Sequence, residues 1–170
     1  MFKHILLPTD GSPASESAID ACIELARQTG ASITAIHVMP MLHLYTYEVG
    51  VTEAVHQQVR QEGELRSKNY LEQIEQRAAA AGVSCKSMLA TADAPYEAII
   101  DAARDGQCDL IAMASHGRKG IKAMLLGSET QKVLTHSAIP VLVFRLPGEP
   151  RAHDLSTPGE LAAQATVGGL

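Results

Sequence analysis

The residues best suited to chemistry lie in one stretch, residues 113–129, which reads MASHGRKGIKAMLLGSE. Nine residues separate Gly117 from Gly127, and Ser128 follows the second glycine. This spacing is too wide for a compact phosphate loop, and the chain has neither GxxxxGK(S/T) nor a GxGxxG after its first apolar run. The stretch is therefore either an anion site assembled from two turns, or a strand end, a loop and a helix cap.

A helix that begins at Ser128 would favour the anion site. The first amides of a helix lack partners within the helix, and the positive end of its dipole attracts phosphate. Gly127 would let the backbone approach an anion closely, and Ser128 and Thr130 offer hydroxyl groups. Ser128 and Gln131 also form a Ser-x-x-Gln capping box, which predicts Ser128 as the N-cap. The two roles are compatible.

Asp10 is a second candidate, because it directly follows the first apolar run. An acid at that place could accept a phosphoryl group, bind a cation or hydrogen-bond a ribose hydroxyl. Asp-Gly is also ordinary turn chemistry. The phosphoryl acceptor is the least favoured role, since receiver domains carry an acidic pair after strand one and the acceptor after strand three. This chain has one Asp at the first place and Thr-Ala-Asp (91–93) at the second.

The histidines and cysteines do not form a metal-binding pattern. There is no HxxH or HxxxH pair, and Cys22, Cys85 and Cys108 are too far apart for a CxxC motif. We expect reduced thiols in a cytoplasmic protein and no metal site made wholly by the chain. We expect His37 to pack in the core or at a strand end. For His116 we expect contact with backbone or phosphate, because no Ser, Cys or Asp is placed to complete a catalytic set.

Alternating hydrophobic periodicities predict the elements that position these residues. Strands are predicted at 3–8, 32–38, 84–90, 109–114 and 139–144, and helices at 13–29, 51–81, from 95 onward and at 128–136. Strands that alternate with helices favour a doubly wound α/β fold, a parallel sheet of the order β-α-β-α-β-α-β-α-β with helices on both faces. Ligands bind such sheets beyond the carboxyl ends of strands, which selects residues 8–10, 38–39 and 114–117.

Composition narrows the possible functions. A chain of 170 residues, 46% of them hydrophobic, can form one folded core. Its formal net charge of −5 gives no electrostatic reason to expect nucleic-acid binding. No apolar run approaches the roughly 20 residues that span a membrane, so no membrane partner is expected. Beyond residue 146 the periodicity disappears among glycines and prolines, which predicts a domain at 1–146 and a flexible tail at 147–170.

From Phe2 to Phe144 the chain resembles the universal stress protein family. The resemblance rests on KHILLPTDGSPASESAI, on AIHV, and on DLIAMASHGRKGIKAMLLGSETQKVLTHSAIPVLVF. It implies a Rossmann-like fold of the adenine-nucleotide hydrolase type. Family members that bind ATP carry Gly-x2-Gly-x9-Gly-(Ser/Thr). This chain keeps that spacing, Gly117 and Gly127-Ser128, and has Ala114 in place of the first glycine.

The resemblance implies an ATP site whose Mg or Mn ion is carried by the nucleotide. The adenosine would meet the first-strand segment, with Asp10 near the ribose, and Val38 would offer backbone groups to the adenine. The phosphates would lie among the motif residues. The nucleotide-binding residues predicted in this way are Pro8, Thr9, Asp10, Val38, Ala114, Ser115, His116, Gly117, Gly127, Ser128, Glu129 and Thr130.

The family also implies a homodimer formed through the fifth strand, residues 140–144 (PVLVF). An apolar edge strand is otherwise an aggregation hazard, so a dimer has its own physical reason. Three functions stay open. The first is a stress-response module that binds ATP with little or no catalysis and signals through the dimer or an unknown protein partner. The second is a slow ATPase or autophosphorylating protein that uses Ser128 or Thr130. The third is an interaction module that binds no nucleotide, or AMP or cyclic AMP.

Overall fold

In the computed structural model, which describes residues 1–41, 53–115 and 126–145, strands and helices alternate as the periodicity predicts. The elements are β1 His4–Thr9, α1 Pro13–Thr29, β2 Ser32–Met39, α2 Glu53–Ala80, β3 Cys85–Thr91, α3 Pro95–Asp105, β4 Leu110–Ala114, α4 Ser128–His136 and β5 Val141–Phe144. The fifth strand begins two residues later than predicted, and the second strand extends one residue further, to Met39.

The strands form one parallel sheet in the order β3-β2-β1-β4-β5. The chain moves outward from β1 to β3, then returns to place β4 on the other side of β1. Strand order therefore reverses between β1 and β4, which is where a doubly wound sheet forms its ligand crevice. The predicted α/β class and the parallel sheet are confirmed.

The central strands are buried on both faces, which explains their continuous apolar sequences. On one face Ile5 and Leu7 of β1 pack with α1 and α2 around Ile19 and Ile74. On the other face Leu6 packs toward α3 and α4. Since successive residues of a strand point to opposite faces, one short run supplies both layers of the core.

The ends of α1 follow the local signals in its sequence. The amide of Ser15 donates to Ser12 Oγ at 3.2 Å, so Ser12 is the N-cap, and Pro13 is the first helical residue. Gly30 ends the helix in the left-handed region, with φ of +70°, which glycine adopts without steric cost.

The longest helix, α2, packs on the sheet through its C-terminal half. Leu71, Ile74 and Ala78 are buried there, whereas Val55 and Val59 near its start are about half exposed. No helix within the described ranges is both long enough and apolar enough to cross a membrane. The predicted tail at 147–170 and the residues at 42–52, between β2 and α2, lie outside the described residues.

Candidate functional site

Pro8 lies beyond the last residues at which β1 and β4 pair. The Ser32 amide donates to the Lys3 carbonyl, and the Asp109 amide donates to the His4 carbonyl, so even-numbered residues of β1 direct their backbone toward β4. The two strands pair at their first positions, Ile5 with Leu110 and Leu6 with Ile111. Pro8 is an even-numbered residue of β1, so its backbone nitrogen faces the β4 side, but proline has no amide hydrogen to donate. The carboxyl ends of the two strands are therefore the place where pairing is lost.

Thr9, at the end of β1, uses its hydroxyl inside the protein. Its Oγ1 donates to Ser15 Oγ at 3.1 Å and lies 3.0 Å from the hydroxyl of Tyr70, which belongs to α2. The Gly11 amide also points to Thr9 Oγ1, at 3.4 Å. The side chain is 7% exposed. The hydroxyl therefore shapes the loop that follows β1, and what Thr9 can offer a ligand is its backbone.

Asp10 stabilises the turn between β1 and α1. Its Oδ1 accepts a hydrogen bond from the Ser12 amide at 3.0 Å, an Asx turn. Gly11 follows with φ of +71°, a conformation that a residue with a side chain would adopt only with strain. The turn reading of Asp-Gly is confirmed. Asp10 is partly exposed at the carboxyl end of the sheet. The predicted contact with a ribose would require it to lie there.

His37 and Val38 lie near the end of β2, before its last residue, Met39. The Ser32 amide donates to the Lys3 carbonyl of the β1 side, so the even-numbered residues of β2 direct their backbone groups toward β1. The last residue of β1 that pairs with β2 is Thr9. The Val38 carbonyl therefore faces the space beyond the end of β1. His37 is a strand-end histidine, as predicted. Its Nδ1 lies 2.8 Å from the Thr9 carbonyl, and because a carbonyl only accepts, Nδ1 carries the hydrogen.

Ala114 occupies its position without backbone strain. It ends β4, and Gln107 is the only residue other than glycine with positive φ in the described ranges. Its methyl group is buried against Ala14 and Ala18 of α1. The replacement of a glycine by alanine would be costly at a position that needs positive φ, and this position does not need it.

Two hydrogen bonds join the end of β4 to the start of α4. The Gly127 amide donates to the Ser115 carbonyl at 2.7 Å, and Thr130 Oγ1 donates to the Ala114 carbonyl at 3.0 Å. Ser115 is in turn held to β5, since its amide donates to the Phe144 carbonyl at 2.7 Å. The two parts of the 113–129 stretch are therefore in contact at their described ends. His116 and Gly117 lie outside the described residues.

The predicted capping box at the start of α4 is wrong. Gly127 is the N-cap, with φ of −65° and ψ of 150°, and Ser128 is the first helical residue, with an exposed side chain. The bond from Gly127 to Ser115 holds Gly127 in the extended conformation of an N-cap, which moves the helix boundary one residue earlier. No side chain caps the helix. The amides of its first turn are therefore positioned for an external anion.

Glu129, in the first turn of α4, has both carboxylate oxygens engaged in hydrogen bonds within the protein. Its Oε2 accepts the Tyr96 amide at 3.0 Å, in the first turn of α3, and its Oε1 accepts from Lys132 Nζ at 2.9 Å. The carboxylate thus supplies the side-chain cap that α3 lacks at its own N-cap, Ala94. A negative charge in the first turn of α4 would otherwise repel a phosphate. The group that Glu129 could offer to a phosphate is therefore its backbone amide.

The cysteines are not suited to nucleophilic chemistry. All three are free. Burial raises the pKa of Cys22 to about 12 and that of Cys85 to about 11, so both thiols stay protonated at neutral pH. Within the described ranges, no group of three or more His, Cys, Asp or Glu side chains could hold a metal ion.

Sequence reasoning missed Tyr70 and Ser15. Both contribute hydroxyls to the loop after β1, but Tyr70 lies 61 positions from Thr9 along the chain. The signal in the sequence was that Tyr70 stands next to residues on the buried face of α2, Leu71 and Ile74. The hydroxyl of a buried tyrosine generally requires a hydrogen-bond partner. Which strand end receives that hydroxyl depends on strand order.

Comparison with known proteins gives a consistent family. The model of the universal stress protein family matches residues 1–145. YxiE, a universal stress protein of Bacillus subtilis, is 32% identical over 149 residues, which cover 85% of this chain and all of the relative. The universal stress protein MJ0577 of Methanocaldococcus jannaschii is 30% identical over 156 residues, covering 85% and 96%.

Solved structures agree with this result. The structure of MJ0577 superposes with a TM-score of 0.73 at 29% identity, covering 86% of this chain and 98% of that one. More distant structures share the fold. One is a universal stress protein in complex with cAMP, at 22% identity and a TM-score of 0.63, with 85% of this chain and 97% of that one covered. Another is an Arabidopsis thaliana family protein with AMP bound, at 14% and 0.63, covering 86% and 93%.

Proposed function

The chain belongs to the universal stress protein family, and from that premise we propose that it is a nucleotide-binding module of the stress response. The ligand is ATP, bound with its Mg²⁺ or Mn²⁺ ion at the carboxyl end of the sheet. The nucleotide lies across the strand-order reversal, with adenosine over β1 and β2 and the phosphates at α4. The protein acts as a cytoplasmic homodimer with little or no catalysis.

The observation that carries this proposal is the uncapped start of α4 beside the end of β4. The Gly127–Ser115 hydrogen bond joins the start of the helix to the end of β4, and the Glu129 carboxylate is bonded to Tyr96 and Lys132. A phosphate there would receive backbone amides and the favourable end of the helix dipole. Two proteins of this fold hold an adenine nucleotide, which supports the proposal.

The cation would be held mainly by the nucleotide. Mg²⁺ commonly keeps several waters and is bound through substrate phosphates with few protein ligands. The carboxylate in the first turn of α4, Glu129, is already bonded to Tyr96 and Lys132. EDTA should therefore weaken ATP binding and leave adenosine binding unchanged.

The hydroxyl of Thr130 argues against phosphoryl transfer to that residue. It is 4% exposed and donates to the Ala114 carbonyl, so it is a structural group. Ser128 is exposed at the same helix end and remains the candidate acceptor for the alternative function, slow ATP hydrolysis or autophosphorylation. Incubation with γ-labelled ATP distinguishes the two functions, because labelled protein or released phosphate above background would favour the alternative.

The binding test compares two variants of Ser128 in protein freed of nucleotide by unfolding and refolding. Ser128→Asp places a negative charge against the phosphates and should weaken ATP binding at least about tenfold, or about 1.4 kcal/mol. Ser128→Asn is the matched neutral control of similar size. Since an acid in the first helical turn stabilises a helix, loss of binding in the Asp variant would not reflect unfolding.

Isothermal titration calorimetry with ATP, ADP, AMP, cyclic AMP and adenosine gives the affinities. We expect micromolar ATP binding to the wild type, a selective loss for phosphorylated ligands in Ser128→Asp, and little change in Ser128→Asn. Absence of ATP affinity in the wild type would overturn the proposal. Equal weakening of adenosine and ATP by the Asp variant would show that α4 does not meet the phosphates.

A further inference from the structure

We propose that Tyr70 of α2 is a positioning residue for the nucleotide site, so that the placement of α2 sets the affinity for adenosine. This inference rests on the proposed function and extends it to a helix outside the crevice. Tyr70 is held at the end of β1 by its hydroxyl, 3.0 Å from Thr9 Oγ1. Thr9 opens the loop that would hold the adenosine.

The hydroxyls of Tyr70, Thr9 and Ser15 form a chain of hydrogen bonds in which each donates to the next group. Ser15 has a single hydroxyl hydrogen and donates it to the Ser12 carbonyl at 2.9 Å, while Thr9 donates its own to Ser15 Oγ at 3.1 Å. Thr9 then has no hydrogen left, so the bond between them requires the Tyr70 hydroxyl as donor, for which the Glu16 carboxylate is a second acceptor. The chain runs from α2 through the end of β1 to the N-cap of α1.

This chain fixes the loop from both ends. Thr9 Oγ1 also receives the Gly11 amide at 3.4 Å, and the Ser12 amide is held by Asp10 Oδ1 at 3.0 Å. Thr9 and Ser15 are buried, where hydrogen bonds are less exposed to competition from water. Burial raises the pKa of Tyr70, so its hydroxyl stays protonated and able to donate at neutral pH.

The rest of α2 makes Tyr70 a fixed point. Leu71 and Ile74 anchor the helix on the sheet, and Arg77 holds it to α1 through Glu16, at 2.7 Å, and through Asp20. A displacement of α2 would therefore move the Tyr70 hydroxyl relative to Thr9. The loop would lose the donor that orders it, and a ligand would have to order the loop on binding.

The test is Tyr70→Phe in the full chain, with Tyr96→Phe as the matched control. The Tyr96 hydroxyl donates to Glu97 on the surface at 2.7 Å, so its removal leaves the loop untouched. Since one such hydrogen bond contributes about 0.5–1.5 kcal/mol, Tyr70→Phe should weaken both adenosine and ATP by the same factor, about two- to twelvefold. Tyr96→Phe should leave both affinities unchanged.

Two further measurements distinguish positioning from general destabilisation. Hydrogen exchange of the amides at 11 and 12 should accelerate in ligand-free Tyr70→Phe and not in Tyr96→Phe, while exchange in the β4 core stays unchanged. In a Thr9→Val background, where the acceptor is gone, Tyr70→Phe should cause no further loss of affinity.

Each outcome decides one proposal. If the wild type and Tyr70→Phe bind adenosine equally and exchange equally at residues 11 and 12, the positioning role is overturned and the nucleotide site stands. If the wild type binds no nucleotide, the proposed function fails. A loss confined to ATP, with adenosine unaffected, would also overturn the inference, because the hydroxyl chain acts on the adenosine side.

Discussion

Ala114 fits without backbone strain at the end of β4, where the family resemblance predicts a glycine. Its backbone is extended at the end of β4, and its side chain faces α1, where Ala14 and Ala18 cover it. The carbonyl of the same residue accepts the hydroxyl of Thr130. The methyl group therefore belongs to the packing between the sheet and α1, and the residue contributes to the site through its backbone.

Ala114→Gly is accordingly expected to reduce stability without improving binding. Loss of a buried methyl and the greater chain entropy of glycine should lower the free energy of unfolding by about 1–2 kcal/mol. ATP affinity should stay within about twofold of the wild-type value. Urea denaturation and calorimetry measure the two quantities. An affinity gain of tenfold or more would show that the methyl group obstructs the nucleotide.

At the scale of elements, β1 and β4 are joined at one end and released at the other. At their amino ends the Asp109 carboxylate accepts the Lys3 amide at 2.8 Å and the His4 amide at 3.0 Å. At their carboxyl ends Pro8 removes a donor. The crevice is therefore a local opening in a sheet that is otherwise firmly paired, which suits a binding site that must keep its shape.

The pKa of Asp109 gives this junction a pH dependence. Partial burial raises the pKa of Asp109, but hydrogen bonds from the His4 and Lys3 amides outweigh it, and the pKa lies below its ordinary value. A carboxylate with a lowered folded-state pKa contributes stability above its unfolded pKa of about 3.9, and that contribution is lost as the pH falls through the folded value.

Asp109→Asn should therefore destabilise the protein at pH 7, by about 1 kcal/mol, since an amide oxygen replaces only part of the carboxylate's hydrogen bonding. The difference from wild type should shrink below about pH 4, as the wild-type carboxylate is protonated. Denaturant titrations from pH 7 to pH 3 measure it. Asp101→Asn, which removes an exposed carboxylate paired with Arg104, is the control. A difference that stays constant with pH would contradict this account.

At the scale of the whole molecule, each of the two edge strands of the sheet, β3 and β5, carries an apolar side chain that is partly exposed. Leu142 on β5 is 37% exposed and Met88 on β3 is 38% exposed. Leu134 of α4, the helix that precedes β5, is also exposed, as are Val55, Val59 and Leu65 of α2. An exposed apolar edge strand is generally covered by a partner, which supports the proposed dimer through β5.

If the proposed dimer forms through β5, Leu142→Arg should convert it to a monomer, and Met88→Arg on the opposite edge should not. Burying two like charges across a symmetric interface is unfavourable, because each arginine would lose water without gaining a partner. Sedimentation velocity measures the mass of each variant. The wild-type Tm should rise with protein concentration, as expected for linked association, and that of Leu142→Arg should not. A dimeric Leu142→Arg variant would exclude β5 as the interface.

The sequence by itself determined the order and type of the elements, because both depend on local patterns. Apolar runs of strand length and helical stripes predicted the α/β fold, and Ser12-Pro13 and Gly30 predicted the ends of α1. Asp10-Gly11 predicted a turn. These signals involve residues a few positions apart, so composition and spacing were sufficient to interpret them.

Only the tertiary structure decided which of these local features meet. Strand order placed β4 beside β1, brought Gly127 onto Ser115, and carried the Tyr70 hydroxyl to Thr9. It also moved the cap of α4 from Ser128 to Gly127 and sent the Glu129 carboxylate to α3. A polar group forms a hydrogen bond with a partner that the fold brings within about 3 Å. That partner can be far away in the sequence. The residues of the candidate site stay a prediction that rests on strand ends and the family resemblance, and their hydrogen bonds required the fold.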